Sequence, residues 1–449
     1  MPESGNSQRP VRKLTVKNFS VIKEAELEFS RITVLIGPQA TGKSLLCKLA
    51  YFLSNELIEI AASSVANSRT WDHFLAFLPN EFQSRFYTTH AAVAHDSELT
   101  LTSGAYKVSV HWVPVLSNPQ FAFSEAFQQS YEAALDKRSA VARSVSGLLL
   151  SEGTSLGTRW HEALFELNSV IWGSAPLASL YVPASRAFFS NLSKQSEALK
   201  NVGLDSITRS FSGQIVWDGS WKVGLLTSGR GITDEINRRM TEILGGFVIS
   251  DSGIPRFLAK SGAVFPLEVA STGTQEMIPL FNVIERLAYL REHLVEVNRA
   301  NQSPSRLETL PVSSPLIYIE EPEANVFPTT QYSLVQLFTW LANDAVLDFN
   351  WVITTHSPYI LSSFNNLIEA GQAARNNPKL HQEIAKIIPE QYWIKERDFV
   401  AYSIDDGNLK SILNESGFVE TNYLDQVSEV IGNEFDKLLR LEYEHTKAS

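Results

Sequence analysis

The sequence predicts an α/β fold in which buried strands alternate with helices, an antiparallel ribbon opens the chain, and a mainly helical insertion interrupts it. Three observations carry that prediction. The apolar runs Ile32–Ile36, Leu316–Ile319 and Trp351–Ile353 are short and continuous, and each stops at glycine or polar residues, as strands buried on both faces do. Helical spacing follows the first two: Leu45, Leu46, Leu49 and Ala50 after one, and Thr329–Leu341, begun by Pro328 in its first turn, after the other. Ahead of them, Leu14 and Val16 alternate with polar neighbours, then Ala25, Leu27 and Phe29 with Glu24, Glu26 and Glu28, which reads as a half-exposed two-stranded ribbon.

Composition narrows the function classes. At 449 residues, 44% of them hydrophobic, the chain can bury a sizeable core in two or three domains or in one large unit with insertions. Lys+Arg of 38 against Asp+Glu of 49 gives a net charge of −11, so no global basic field draws it to nucleic acid, although a local patch stays open. The sole cysteine, Cys47, reads as a small buried side chain, and a disulfide framework within the chain is excluded. Met1–Pro10 is polar and lacks a signal-peptide core, and no run of about 18 apolar residues occurs, so a soluble cytoplasmic protein without membrane contact is expected.

Four motifs carry chemistry. Gly37-Pro38-Gln39-Ala40-Thr41-Gly42-Lys43-Ser44 fits the phosphate-binding pattern G-x-x-x-x-G-K-[ST] between a strand and a helix that opens at Leu45. Glycines there let backbone N–H groups close on a phosphate at a helix N-terminus, Lys43 reaches the β- and γ-phosphates of ATP, and Ser44 holds Mg²⁺. The second motif is Glu320-Glu321-Pro322-Glu323, where carboxylates end an apolar strand; Glu320 is assigned to the metal and Glu321 to the attacking water. Third, His356 ends the next strand, one helix away, and is expected to face the γ-phosphate. Fourth, Ser271-Thr272-Gly273-Thr274-Gln275 opens a helix with apolar positions Met277, Ile278, Leu280, Phe281, Ile284, Leu287 and Leu294; Ser271 and Gly273 at such a start can bind anionic oxygens.

The stretch from Tyr51 to Trp172 reads as mostly helical, with one hairpin in which Tyr106, Val108, Val110 and Trp112 share a face, taken as a small sheet within the insertion. Ser179–Pro183 reads as a short strand before Ala184-Ser185-Arg186, and Thr233–Leu244 as a helix in an otherwise opaque segment. Arg186 is open between a phosphate or interface role and a buried structural one. Ser303–Ser314 is the linker candidate, Phe399–Leu413 a hairpin around Asp406-Gly407, and Tyr423–Leu441 a helix.

In this order the four motifs resemble the ATPase head of the ABC superfamily, in the branch that holds SMC-type DNA-repair ATPases and OLD-like ATPases of phage defence. The resemblance implies an ABC-type head, a mixed β-sheet core with flanking helices, divided as 1–56 with the phosphate loop, 57–175 as insertion, and 176–449 as the remainder of the head. It also implies a homo-oligomer in which two copies sandwich ATP head to tail: Ser271, Gly273 and Gln275 match the signature stretch that contacts a nucleotide held by another copy, Glu321 the general base, and His356 the switch histidine. Three departures, Ser-Thr-Gly-Thr-Gln in the signature, Glu320 where Asp is usual, and Gln39 for the frequent Asn, fit a slow, switch-like ATPase. The Q-loop glutamine stays unassigned, with Gln195 and Gln214 as weak candidates.

Between Ser44 and Ser271 no heptads are sustained, which argues against a long-armed SMC clamp, and the segment after His356 reads as finishing the head, so no nuclease is expected in cis. The chain therefore looks like the stand-alone AAA-like ATPases of two-gene defence modules. That likeness implies a sensor and scaffold that holds a Toprim nuclease partner inactive until a phage-encoded trigger binds. The alternative is a DNA repair or recombination ATPase that binds duplex directly; a transporter's nucleotide-binding subunit is remote.

Overall fold

A computed structural model describes residues 11–90, 96–113, 118–145, 167, 179–190, 205–214, 232–251, 254–300, 314–420 and 430–440. The fold is mixed α/β, built on a large mixed sheet with helices on its faces. The strands are β1 Arg12–Phe19, β2 Ile22–Phe29, β3 Ile32–Ile36, β4 Ser97–Ser103, β5 Tyr106–Trp112, β6 Gln120–Phe123 and β7 Leu180–Val182. They continue with β8 Gly246–Asp251, β9 Ile254–Ala259, β10 Val264–Pro266, β11 Leu316–Glu320, β12 Asn350–Thr355, β13 Phe399–Asp405 and β14 Asn408–Ser411. Eleven of them form one sheet in the order β6-β5-β4-β1-β2-β14-β13-β3-β12-β11-β7, and β10-β9-β8 form a second of three strands.

The ribbon forms as expected, β1 against β2 with Leu14 opposite Leu27 and Val16 opposite Ala25. The hairpin at Tyr106–Trp112 does not make a small sheet of its own. β4 pairs with β1 along its length, Leu14 against Leu101 and Val16 against Leu99, so the hairpin extends the main sheet. Its inward side chains meet a common apolar side: Phe19, Phe52, Phe82, Phe86 and Trp112 cluster with ring centroids 4.9–6.4 Å apart.

The parallel half places the chemistry. β13, β3, β12, β11 and β7 run the same way, so their C-terminal ends share one edge. Side-chain alternation then sorts the faces. Ile317 and Ile319 enter one core cluster with Ile32, Val34 and Ile36, while Leu316 and Tyr318 enter the other with the Lys43–Tyr51 helix. Glu320 continues the second set, so its side chain lies on the face of the phosphate-loop helix. That helix passes into a π-helical turn over Phe52–Glu56, where Ser54 donates to Ala50 O (2.7 Å) and pairs with the Tyr318 hydroxyl (2.9 Å).

The Thr272–Ala300 helix buries Met277, Ile278, Leu280, Phe281, Ile284 and Leu287, in keeping with its apolar spacing; the Leu294 side chain lies outside the described residues. The Ile232–Leu244 helix, the Pro328–Asn343 helix and the β13–β14 hairpin match their sequence signals. Residues 303–313 of the linker candidate, Gln195 and the side chain of Gln214 lie outside the described residues; 430–440 is helical. No helix among the described residues is long and apolar enough to cross a membrane.

Candidate functional site

The glycine turn is held in shape by what surrounds it. Gly37 has φ 151° and a Cβ there would sit 2.2 Å from the Ile404 carbonyl oxygen; Gly42 has φ 105° and a Cβ there would meet Ile22 at 2.9 Å. Both positions therefore require glycine, and both link the turn to other parts of the sheet: Ile404 lies next to the end of β13 and Ile22 begins β2. Gly42 caps the helix that starts at Lys43, which leaves the first-turn N–H groups of Lys43, Ser44 and Leu45 without intrahelical partners. Ser44 is exposed at that start.

Lys43 is buried, and its ammonium donates to Gly37 O (2.8 Å) and Pro38 O (2.7 Å). Burial lowers its pKa, while the charges of Glu321 and Glu323 act against that shift. The lysine of the turn and the carboxylates that follow β11, Glu321 and Glu323, thus share one electrostatic environment, although β12 lies between β3 and β11.

Glu320 and Glu321 sit in contrasting settings. Glu320 is buried; Oε2 accepts from the Ala184 amide (3.1 Å), whereas Oε1 has no hydrogen bond of ordinary geometry. Its neighbours include Tyr181 and Cys47, whose pKa values are pushed well up by burial and then by the Glu320 charge, so both stay protonated. Glu321 is partly exposed and has φ 43°, in the left-handed region that costs a non-glycine residue about 1 kcal/mol or more. Its backbone is pinned on both sides: the amide donates to Thr354 O (2.8 Å) and the carbonyl accepts from Arg186 Nη2 (3.0 Å). Its carboxylate Oε1 lies 3.4 Å from His356 Nε2.

His356 follows β12 and is positioned by Glu323, whose Oε1 accepts from the His356 amide (2.6 Å) and from Thr355 Oγ1 (2.8 Å). Ser357 then caps the Pro358–Asn376 helix, accepting from the Tyr359 amide. The sequence motif included Glu323 but gave it no role, because its partners come from a strand some thirty residues later, as Glu323–His356 spans 33 positions. Ser271 caps its helix by accepting from the Thr274 amide (3.2 Å) and remains exposed. The Gln275 side chain donates to Glu268 O and Ala270 O and so fixes the approach to the helix. Gly273 lies against the acidic turn, where a Cβ would meet Asn325 O at 2.5 Å. Within one copy the signature stretch therefore contacts the turn after Glu321, while the glycine turn, Glu321 and His356 converge at the strand ends.

The oxygens available to a hard divalent cation are the buried, incompletely bonded Glu320 Oε1 and the exposed Ser44 hydroxyl, the donor type that Mg²⁺ takes. Beside the glycine turn a groove of about 610 Å³ is lined by Asn18, Ser20, Lys23, Ala40, Thr41 and Asp406, among others.

Comparison of folds finds similarity to the SMC head domain from Thermotoga maritima, at 10% identity over 90% of this chain and 99% of that one with a TM-score of 0.38. An SMC head bound to the C-winged helix domain of ScpA is similar at 11% identity, 90% and 97% coverage and a TM-score of 0.41. An SMC head with an extended coiled coil, bound to the C-terminal domain of ScpA from Pyrococcus furiosus, is similar at 11% identity, 90% and 96% coverage and a TM-score of 0.34. No curated protein matches the chain. Residues 183–361, from the end of β7 through the signature helix and acidic turn to His356 and the start of its helix, match the AAA ATPase domain family.

Proposed function

We propose that this chain is an ATPase whose catalytic site is completed by a second copy. The observation that carries the reading is the convergence of Lys43, Glu321 and His356, which lie far apart in sequence, at one edge of the sheet. The match of residues 183–361 to the AAA ATPase domain family supports it independently of the glycine turn, which lies outside that match. In this reading Gly37–Leu45 enclose the phosphates and Lys43 exchanges its two loop carbonyls for β- and γ-phosphate oxygens. Ser44 and Glu320 hold Mg²⁺, which when bound neutralises developing phosphate charge. Glu321 accepts the proton of the attacking water, with its carboxylate oriented by His356. The groove beside Ala40 and Thr41 receives the nucleoside. Ser271, Gly273 and Gln275 of another copy close over the γ-phosphate.

We further propose that the ATPase works as the sensor and scaffold of a two-gene anti-phage module, resembling AriA, the ATPase subunit of the PARIS system. It would hold a Toprim nuclease in trans and release it when a phage-encoded trigger binds. Coupling of about 1–3 kcal/mol between nucleotide state and partner affinity suffices for such a switch. Capture tests this: from the native host, Glu321→Gln with ATP is expected to retain a Toprim nuclease and Lys43→Ala to retain less. Duplex DNA bound by the isolated protein in a salt-dependent manner, with no nuclease captured, would instead favour a repair ATPase.

A further inference from the structure

Arg186 makes no contact that requires nucleotide, yet its guanidinium makes four hydrogen bonds beside the site. Its guanidinium is fully buried, at 0% exposure. Nη1 donates to Glu320 O (2.8 Å) and Pro183 O (3.3 Å), Nη2 to Glu321 O (3.0 Å), and Nε to Glu276 O (3.1 Å), with the Glu276 carboxylate 3.5 Å away. Three segments meet on this one group: the turn after β7, the acidic turn after β11, and the helix that Ser271 starts. Glu276 lies on the first turns of that helix, and its pKa is raised by burial and pulled back by Arg186, the Ala187 amide and Asn325. Gly273, on the same face, meets the Asn325 carbonyl.

An arginine buried this deeply is costly unless every donor is satisfied, and apolar residues fill such a volume at lower cost. What the guanidinium supplies is geometry. It is planar, and its donors form a fixed fork, so the carbonyls bonded to it keep fixed separations. Besides Pro183 O in its own turn, those carbonyls belong to the residues on either side of the Glu320–Glu321 peptide and to the helix whose start carries Ser271 and Gly273.

We propose that Arg186 is a positioning residue that makes the Glu320–Glu321 turn and the Ser271 helix start of one copy a single rigid unit. The proposal rests on the ATPase reading above. Its consequence is that when two copies dock, the helix start delivered to the partner's nucleotide and the base serving the copy's own nucleotide are set in register together. Nucleotide binding, which depends on the glycine turn, does not need the link; the hydrolytic step does.

The test compares Arg186→Lys, which keeps the charge and loses the fork, with Glu276→Gln, which keeps the size and the backbone carbonyl and weakens the ion pair. Thermal melting, affinity for a fluorescent ATP analogue and kcat at saturating ATP and Mg²⁺ are measured on the full chain. Arg186→Lys is expected to bind nucleotide within about threefold of wild type while kcat falls about tenfold or more. Glu276→Gln should shift kcat in the same direction by less, and the double variant should be no slower than Arg186→Lys alone. Folded Arg186→Lys with wild-type kcat, or with affinity and kcat reduced by the same factor, would overturn the proposal. Should Arg186→Lys not fold, Glu276→Gln decides, and an unchanged kcat overturns it. The wild type and Glu321→Gln measured in parallel separate the two levels: no ATP hydrolysis by the wild type sinks the ATPase reading and the link with it, wild-type hydrolysis by Glu321→Gln removes the base that the link would position, and a dead Glu321→Gln beside an unaffected Arg186→Lys sinks the link alone.

Discussion

Lys43→Ala is expected to weaken ATP binding by about 100-fold or more, equivalent to about 2.7 kcal/mol, and to abolish measurable hydrolysis. The size of the effect follows from where the ammonium sits. It is buried at the glycine turn and already bonded to two carbonyls of that turn, which in the proposed reading preorganises it to meet phosphate oxygens. An ammonium stripped of water and offered two or more anionic oxygens contributes charge-assisted bonds that the methyl of alanine cannot replace. The fold should survive, because burial lowers the pKa of this lysine and the charge is therefore a cost to the empty protein that alanine removes. Calorimetric titration with a non-hydrolysable ATP analogue, beside a melting curve, checks both halves. Wild-type affinity in a folded variant would place the triphosphate elsewhere.

Glu321→Gln is expected to lower kcat by roughly 100- to 1,000-fold, within the range contributed by a general base, while nucleotide affinity stays near wild type. The substitution is nearly isosteric, and the features that hold residue 321 in place are backbone contacts, to Thr354 and Arg186, that a glutamine keeps. It can still pair with His356 Nε2 in one tautomer, so geometry changes little and proton acceptance is lost. Single-turnover hydrolysis distinguishes this from a binding defect. Release of ADP and phosphate at the wild-type rate would remove Glu321 from the chemistry.

Legibility in the sequence tracked how local each signal is. The Gly37–Ser44 pattern, the apolar runs of β3, β11 and β12 and the helix spacing after Thr272 are fixed by neighbouring residues, and the elements lie where those patterns place them. Pairing across the sheet is not local. The alternation at Tyr106–Trp112 identified a hairpin but held nothing to say that β4 would pair with β1, because the register is chosen by a strand some eighty residues away, as in Leu14 opposite Leu101. The β8–β10 sheet went unread; its strands are short, and β8 and β9 carry Gly246 and Pro255 beside the apolar Phe247, Val248 and Phe257. Arg186 stays open in the sequence, and Glu323 without a role, for a related reason. Their partners are mainly backbone carbonyls and amides, which have no side-chain signature, so only the folded chain brings Arg186 onto the Glu320 and Glu321 carbonyls and Glu323 onto the His356 amide.

The organisation within one copy also bears on assembly. Ser271 and Thr272 are exposed at the helix start, and Gly273, although a Cβ there would meet Asn325 O, is only half-buried, so this face of the stretch is open to a second molecule in the proposed assembly. The most direct measurement mixes two variants, each inactive alone: Lys43→Ala, which loses the phosphate grip, and Ser271→Arg, which blocks the capping face. With equal amounts exchanging freely, roughly a quarter of the sites would combine an intact glycine turn from one copy with an intact Ser271 helix from another, and ATP hydrolysis should return to about that fraction of wild type. Mixed oligomers demonstrated by native mass spectrometry, yet with hydrolysis no greater than the two variants show separately, would contradict a site shared between copies.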